Sequence, residues 1–375
     1  MNKLQGKIVL RDRIITGEVT FDTHLLQITP KNIPNQDPDR YILPGFIDVH
    51  VHGGGGADTM DGAEGIEKMA CFHMQHGTTT ILPTTITRPW KEILNVLRAT
   101  KEVKEKKEKQ ALSTLPHIYG VHLEGPFISE KKLGAQPPFT LDPEITLLEA
   151  LVEQDILRVI TLAPEVKTIN DAIPLLTKAG VRVSFGHTAC TYQQANHAIQ
   201  LTQNAGGTAA ATHLFNAMGG LEGRVPGLVG AILSNDQAYA ELIFDTHHVH
   251  PVNFQLAHHI MPNRLLFITD AMRGTGMGEG ESELGGQKVI IKDGKAMGAN
   301  GHLAGSILTL DEAFRNALRY GASLTDATAL LSYNAARYLG MTDRGEIALG
   351  KLADLLVMNA RMEIEEVWVG GQRQV

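Results

Sequence analysis

Two hydrophobic periods divide the chain. Up to about Arg40, apolar and polar residues alternate with period two in KIVLRDRIITGEVTFD and HLLQITP, closed by KNIPNQDPDR, which predicts short strands ending in a Pro/Asn/Asp-rich turn region. From Tyr41 the pattern changes to short apolar runs separated by helix-length amphipathic segments. The runs ILPGFIDVH, TTTILPTT, IYGVHLEG, RVITLAPE, VRVSFGH, TAAATHLF, AELIFDTHH and LLFITDA read as strands. Segments such as AEGIEKMACFHMQHG, WKEILNVLRATKEVKEKKEKQ, TINDAIPLLTKAG and TYQQANHAIQLTQNAG read as helices, most of them stopped by glycine. Strands of that number, alternating with helices, define the α/β class and suit a closed (β/α)8 TIM-like barrel.

A last helix pair, LTLDEAFRNALRYGAS and SLTDATALLSYNAARYLG, follows, with Ser323 and Asp326 at capping-box spacing. Strand-like text then returns in GEIALGKLADLLVMNARMEIEEVWVGGQRQV. Because the termini of a domain tend to lie near one another, the two β-rich ends are expected to join. Residues 1–43 and 345–375 then form a small β-sandwich domain, and 44–344 the barrel.

Composition narrows the function classes. A formal net charge of -7 argues against a nucleic-acid surface, while leaving room for a local phosphate pocket. Cys71 and Cys190 stand far apart outside any CxxC spacing, so a reducing, cytoplasmic setting is expected. The N-terminal segment lacks the apolar core of a signal peptide, and no run is long enough to span a bilayer, so no membrane partner is expected. GxGxxG, GxxxxGK[ST] and GxSxG are all missing.

The chemistry sits where the apolar runs break into loops. His50 and His52 lie two apart at the end of the first run, on one face of a strand, and can chelate one ion. Gly53 to Gly56 then lets the backbone turn away and a substrate approach. Glu124 ends the third run, His187 the fifth, His213 the sixth and Asp270 the eighth. Each alone is an ordinary rim residue. Together they place metal-ligand types at the end of a barrel where catalytic groups collect, with Glu124, His187 and His213 leaving a fourth position for water. Asp270 is the favoured general base and acid. The stretch RGTGMGEGESELGG after it reads as a mobile loop over the site.

These residues bring a resemblance into view. PGFIDVHVHGGGGADTMD, HLEGPF, FGHT, THLFNAM, GRVPGLVGAIL, DTHHVHP, FITDAM, HLAGS and GEIALGKLADLLV, in this order over nearly the whole chain, resemble the amidohydrolase superfamily. Within it they are similar to the branch that removes the acetyl group from N-acetylglucosamine 6-phosphate. The resemblance implies that Glu124, His187 and His213 bind the main divalent metal, zinc first, with iron, manganese or cobalt as alternatives. Because His50 and His52 are present, it implies a binuclear type, with a second ion on His50, His52, Asp270 and a bridging Glu124. It places Ala135, Gln136, Asn216, Ala217, Arg224, His248, Leu303, Ala304 and Gly305 around the sugar phosphate; many relatives carry His at the Gln136 position. Arg224 reaches across from a neighbouring subunit in this pattern, which implies a homodimer.

Rivals are a cyclic-amide hydrolase or a base deaminase on the same fold, and a catalytically silent barrel that senses a sugar phosphate. Strand four, RVITLAPE, lacks the lysine that would bridge metals in many cyclic-amide hydrolases, and no ligand has been lost as a silent barrel would allow.

Overall fold

The computed structural model describes residues 1–31, 40–109, 114–299 and 301–375. Most of the KNIPNQDPDR turn region, and the end of the charged run after Lys109, lie outside them. Eight parallel strands form the barrel: Phe46–Val51, Thr78–Thr85, Val121–Glu124, Leu157–Leu162, Arg182–Phe185, Ala209–Ala211, Tyr239–Ile243 and Leu265–Ile268. They are the eight runs read from the sequence. Thr78–Thr85 and Phe46–Val51 are buried at every residue, as expected for strands packed between barrel interior and outer helices.

The seam between the first and eighth strands is closed without a regular ladder. Asp270 N–H donates to His50 O at 2.9 Å, His52 N–H to Ala271 O at 2.9 Å and Gly53 N–H to Ala271 O at 2.8 Å. Thr269 Oγ1 donates to Asp48 Oδ2 at 2.6 Å. Closure of the barrel and juxtaposition of the His50/His52 pair with Asp270 are therefore one event. The first strand also shifts register between Asp48 and Val51, and such a bulge re-aims the side chains inside it, here His50.

The terminal segments make one seven-stranded sheet in which Tyr41–Pro44 is flanked by Asn2–Val9 and Leu355–Met358, with Ile364–Val369 beyond. The sheet folds over on itself, since Phe21 and Trp368, far apart in strand order, meet edge-on at 5.1 Å. Its interior is Leu4, Ile8, Val19, Phe21, Leu25, Ile42, Leu355 and Val357. We propose residues 1–43 with 345–375 as one folding unit. Deleting residues 345–375 strips Leu355–Met358 from Tyr41–Pro44 and opens the Phe21 core. The amides of Asn2–Val9 are then expected to lose hydrogen-exchange protection, and retained protection would refute the unit.

Two segments differ from their sequence reading. The last helical stretch is broken into Leu324–Leu331 and Tyr333–Leu339. At the break Ser332 Oγ donates back to Thr328 O at 2.5 Å, and Asn334 Nδ2 donates to Leu265 O at 2.7 Å, so side chains compete for backbone carbonyls. The glycine-rich stretch after Asp270 is not a simple loop. Gly280–Leu284 opens a three-stranded antiparallel sheet with Gln287–Lys292 and Lys295–Gly298, packed by Leu284, Val289, Ile291 and Ala296 against Ile86 and Met272.

Candidate active site

The ligand-type residues converge at the ends of the barrel strands. Glu124 is the last residue of the third strand, whereas His187, His213 and Asp270 each stand two residues past a strand end. All three have left-handed backbone, with φ of 46°, 33° and 48°. Non-glycine residues pay on the order of 1–3 kcal/mol for such conformations, and they cluster at functional sites. The turn lets the chain leave the barrel while its side chain points back over the mouth.

Glu124 is the hub. Its Oε1 lies 2.9 Å from His213 Nε2, 3.1 Å from His187 Nε2 and 3.5 Å from His50 Nε2. Its Oε2 lies 3.1 Å from His52 Nε2. Asp270 Oδ1 stands 3.2 Å from His52 Nε2 and 3.6 Å from His50 Nε2. Three close groups of ligand-type residues result, Glu124–His187–His213, His50–His52–Asp270 and His50–His122–Glu241, every member buried. His52 donates Nδ1–H to Thr84 O at 3.2 Å and His187 donates Nδ1–H to Lys132 O at 2.8 Å, which aims both Nε2 atoms inward.

This donor set fits divalent cations. A neutral imidazole with its proton on Nδ1 presents a lone pair at Nε2, and here those lone pairs meet carboxylate oxygens and, between His187 and His213, each other at 3.1 Å. Such a cluster is stable only with protons or cations between the donors. Burial opposes charge on the imidazoles, but the carboxylates of Glu124 and Asp270 outweigh it: His50 is held well above the ordinary histidine range, His52 is pushed up to about 9, and His187 is raised. Burial likewise opposes charge on the carboxylates, yet His50 and His52 bring Asp270 down to about 2, and His50 and His187 hold Glu124 well below its usual range. Metal ions compete for the positions those protons occupy.

A cavity of about 430 Å³, a size suited to a small ligand, opens above Glu124, His52, His187, His213 and Asp270. Ala135, Gln136, Asn216, Ala217, His248, Leu303 and Gly305 line it. Gln136 is fixed at both ends: its Oε1 accepts from Thr87 N–H at 2.7 Å and its Nε2 donates to Glu124 Oε2 at 2.6 Å. Of the neighbouring histidines, only His248 faces the cavity, braced by Asp245 Oδ2 at 2.6 Å; His247 and His250 are exposed. Ala304 does not line the cavity but packs in an apolar cluster with Met272 and Leu284. Arg224 is exposed and absent from the cavity of its own chain. The sequence reading missed Lys131, Lys132, Leu284 and His302, which also line the cavity. The paired lysines just before Ala135 were a signal for anion binding.

The chain belongs to the amidohydrolase family, whose model matches residues 41–373. Its relatives within that family include amino-sugar 6-phosphate deacetylases. It is 37% identical to the N-acetylglucosamine-6-phosphate deacetylase of Bacillus subtilis (strain 168), over 87% of this chain and 82% of that one. It is 35% identical to an N-acetylgalactosamine-6-phosphate deacetylase of Escherichia coli O157:H7, over 96% and 97% of the two chains. Among solved structures, a mutant N-acetyl-D-glucosamine-6-phosphate deacetylase from Mycobacterium smegmatis, in complex with N-acetyl-D-glucosamine-6-phosphate, superposes with a TM-score of 0.90 at 30% identity, covering 100% of this chain and 99% of that one.

Proposed function

We propose that this chain hydrolyses the N-acetyl group of N-acetylglucosamine 6-phosphate, yielding glucosamine 6-phosphate and acetate in amino-sugar breakdown and recycling. The observation that carries the reading is the Glu124–His187–His213 set and Asp270 facing one cavity of sugar-phosphate size. Zinc is the ion we assign, since imidazole and carboxylate donors suit it, with iron, manganese and cobalt as alternatives. A divalent ion there polarises a carbonyl oxygen and lowers the pKa of a bound water from about 15.7 toward about 7.

The chain's own groups do the rest. Asp270, kept ionised by His50 and His52, accepts the proton released as water adds to the acetyl carbonyl. It then returns that proton to the departing nitrogen, so water and amide become acetate and amine. Gln136 holds the Glu124 carboxylate in place while this occurs. Lys131, Lys132 and His248 give the cavity positive or hydrogen-bonding ends for the sugar phosphate, and holding the distant phosphate orients the amide.

Arg224, exposed between exposed Leu221 and Val225, completes the phosphate site of a second subunit in a homodimer. Arg224→Ala is therefore expected to raise KM for the phosphorylated sugar about tenfold or more, matching one lost charge-assisted contact of about 1.5–3 kcal/mol. Turnover of unphosphorylated N-acetylglucosamine stays unchanged. Equal effects on both sugars would move phosphate recognition elsewhere. No helix among the described residues is long and apolar enough to cross a membrane. With both cysteines free, we place the enzyme in the cytoplasm.

The galacto epimer is a second reading, favoured by the nearly full-length match to the N-acetylgalactosamine-6-phosphate deacetylase. Acetate release from both 6-phosphorylated epimers tests the assignment. A higher kcat/KM on the gluco sugar supports it, and preference for the galacto sugar overturns it.

A further inference from the structure

Glu241 lies in the middle of the seventh barrel strand, wholly buried beneath the cavity and not among the residues lining it. Its Oε2 is 3.0 Å from His50 Nδ1. Its Oε1 has no hydrogen-bond partner, and His122 Nδ1, 4.0 Å from it, gives its proton to Val49 O at 3.0 Å. Among the described residues its ion-pair neighbours are His50 and His122, with no lysine or arginine. A carboxylate buried this deeply is costly unless a cation compensates it.

The geometry shows where that cation belongs. A neutral imidazole has one N–H, and His50 spends it on Glu241. Nε2 is then the lone-pair nitrogen, and it faces His52 Nε2 at 3.3 Å, Glu124 Oε1 at 3.5 Å and Asp270 Oδ1 at 3.6 Å. The ring cannot turn away easily, because His122 packs edge-on against it at 4.5 Å and is itself fixed by Val49 O and by Thr161 Oγ1 at 2.8 Å. A carboxylate behind a ligating histidine sets its tautomer and raises its basicity.

We propose that Glu241 is a positioning residue for a second divalent ion held by His50, His52 and Asp270: it fixes Nε2 of His50 as the donor and supplies negative charge behind it. This rests on the reading of the cluster as a metal centre. It adds that one of the two ions depends on a residue that touches neither ion nor substrate.

The test is a zinc titration of full-length, chelator-stripped protein against a chromophoric competitor, comparing wild type, Glu241→Gln and Glu241→Leu. Wild type is expected to take two ions. Glu241→Leu keeps the Glu124–His187–His213 ion at wild-type affinity and binds the other about 10–100-fold more weakly. Glu241→Gln retains an acceptor for His50 Nδ1–H and falls between them. Unchanged affinity for both ions in Glu241→Leu overturns the proposal, as does equal weakening of both, which marks a structural role. A single ion in wild type also overturns it. If Glu241→Leu fails to fold, Glu241→Gln carries the comparison, and two wild-type affinities in that variant overturn the proposal. Acetate release by the wild type decides the deacetylase reading separately.

Discussion

Asp270→Asn is expected to lower kcat by about 10²–10⁴-fold, the usual worth of a positioned general acid and base. Asparagine has the same shape and tolerates the left-handed backbone that Asp270 adopts, so the turn and the seam bond to His50 O should persist. What is lost is the ability to accept a proton. The Glu124–His187–His213 set does not include Asp270, so that ion is expected to remain, as elemental analysis of the variant will show. Near-normal turnover with the ion in place would remove Asp270 from the chemistry.

Glu124→Gln is expected to damage metal binding as well as turnover, because both oxygens of that carboxylate are in use. Oε1 faces His187, His213 and His50, and Oε2 faces His52 and Gln136. An amide removes the negative charge and puts an N–H₂ against one of those groups. Metal content should fall for both ions together. Losing several kcal/mol of charge stabilisation corresponds to a drop in kcat/KM of about 10³-fold or more. Circular dichroism will report whether the barrel remains folded, and full metal content in a folded Glu124→Gln protein would contradict the hub role.

The barrel was legible because its strands are short apolar runs, and the polar residues at or just past the ends of five of them, the first, third, fifth, sixth and eighth, are the site. His50, His52, Glu124, His187, His213 and Asp270 could be named from position alone. The left-handed turns at His187, His213 and Asp270 could not, since His and Asp adopt positive φ more often than most side chains but mark it far less strongly than glycine does. Glu241 was hidden for the opposite reason: within AELIF it reads as one acid in an apolar strand, and its partner His50 is remote in sequence. It nevertheless left a signal, because an acid inside a strand buried on both faces needs a compensating partner. The three-stranded sheet after Asp270 was also readable. Gly285–Gly286 and Asp293–Gly294, all at positive φ, are two-residue hairpin turns between alternating segments, a signal masked by the surrounding glycines. Arg224 is legible only through resemblance, because its own chain gives it no place in the cavity.

The central claim is that remote imidazoles and carboxylates gather divalent ions beside a bound amide. Its most direct test is to strip the purified protein of metal, add zinc back in steps, and measure bound ion and acetate released from N-acetylglucosamine 6-phosphate on the same samples. The account predicts no acetate from the stripped protein and activity that returns as ions bind. Full activity without metal, or a fully loaded protein that releases no acetate, would contradict it.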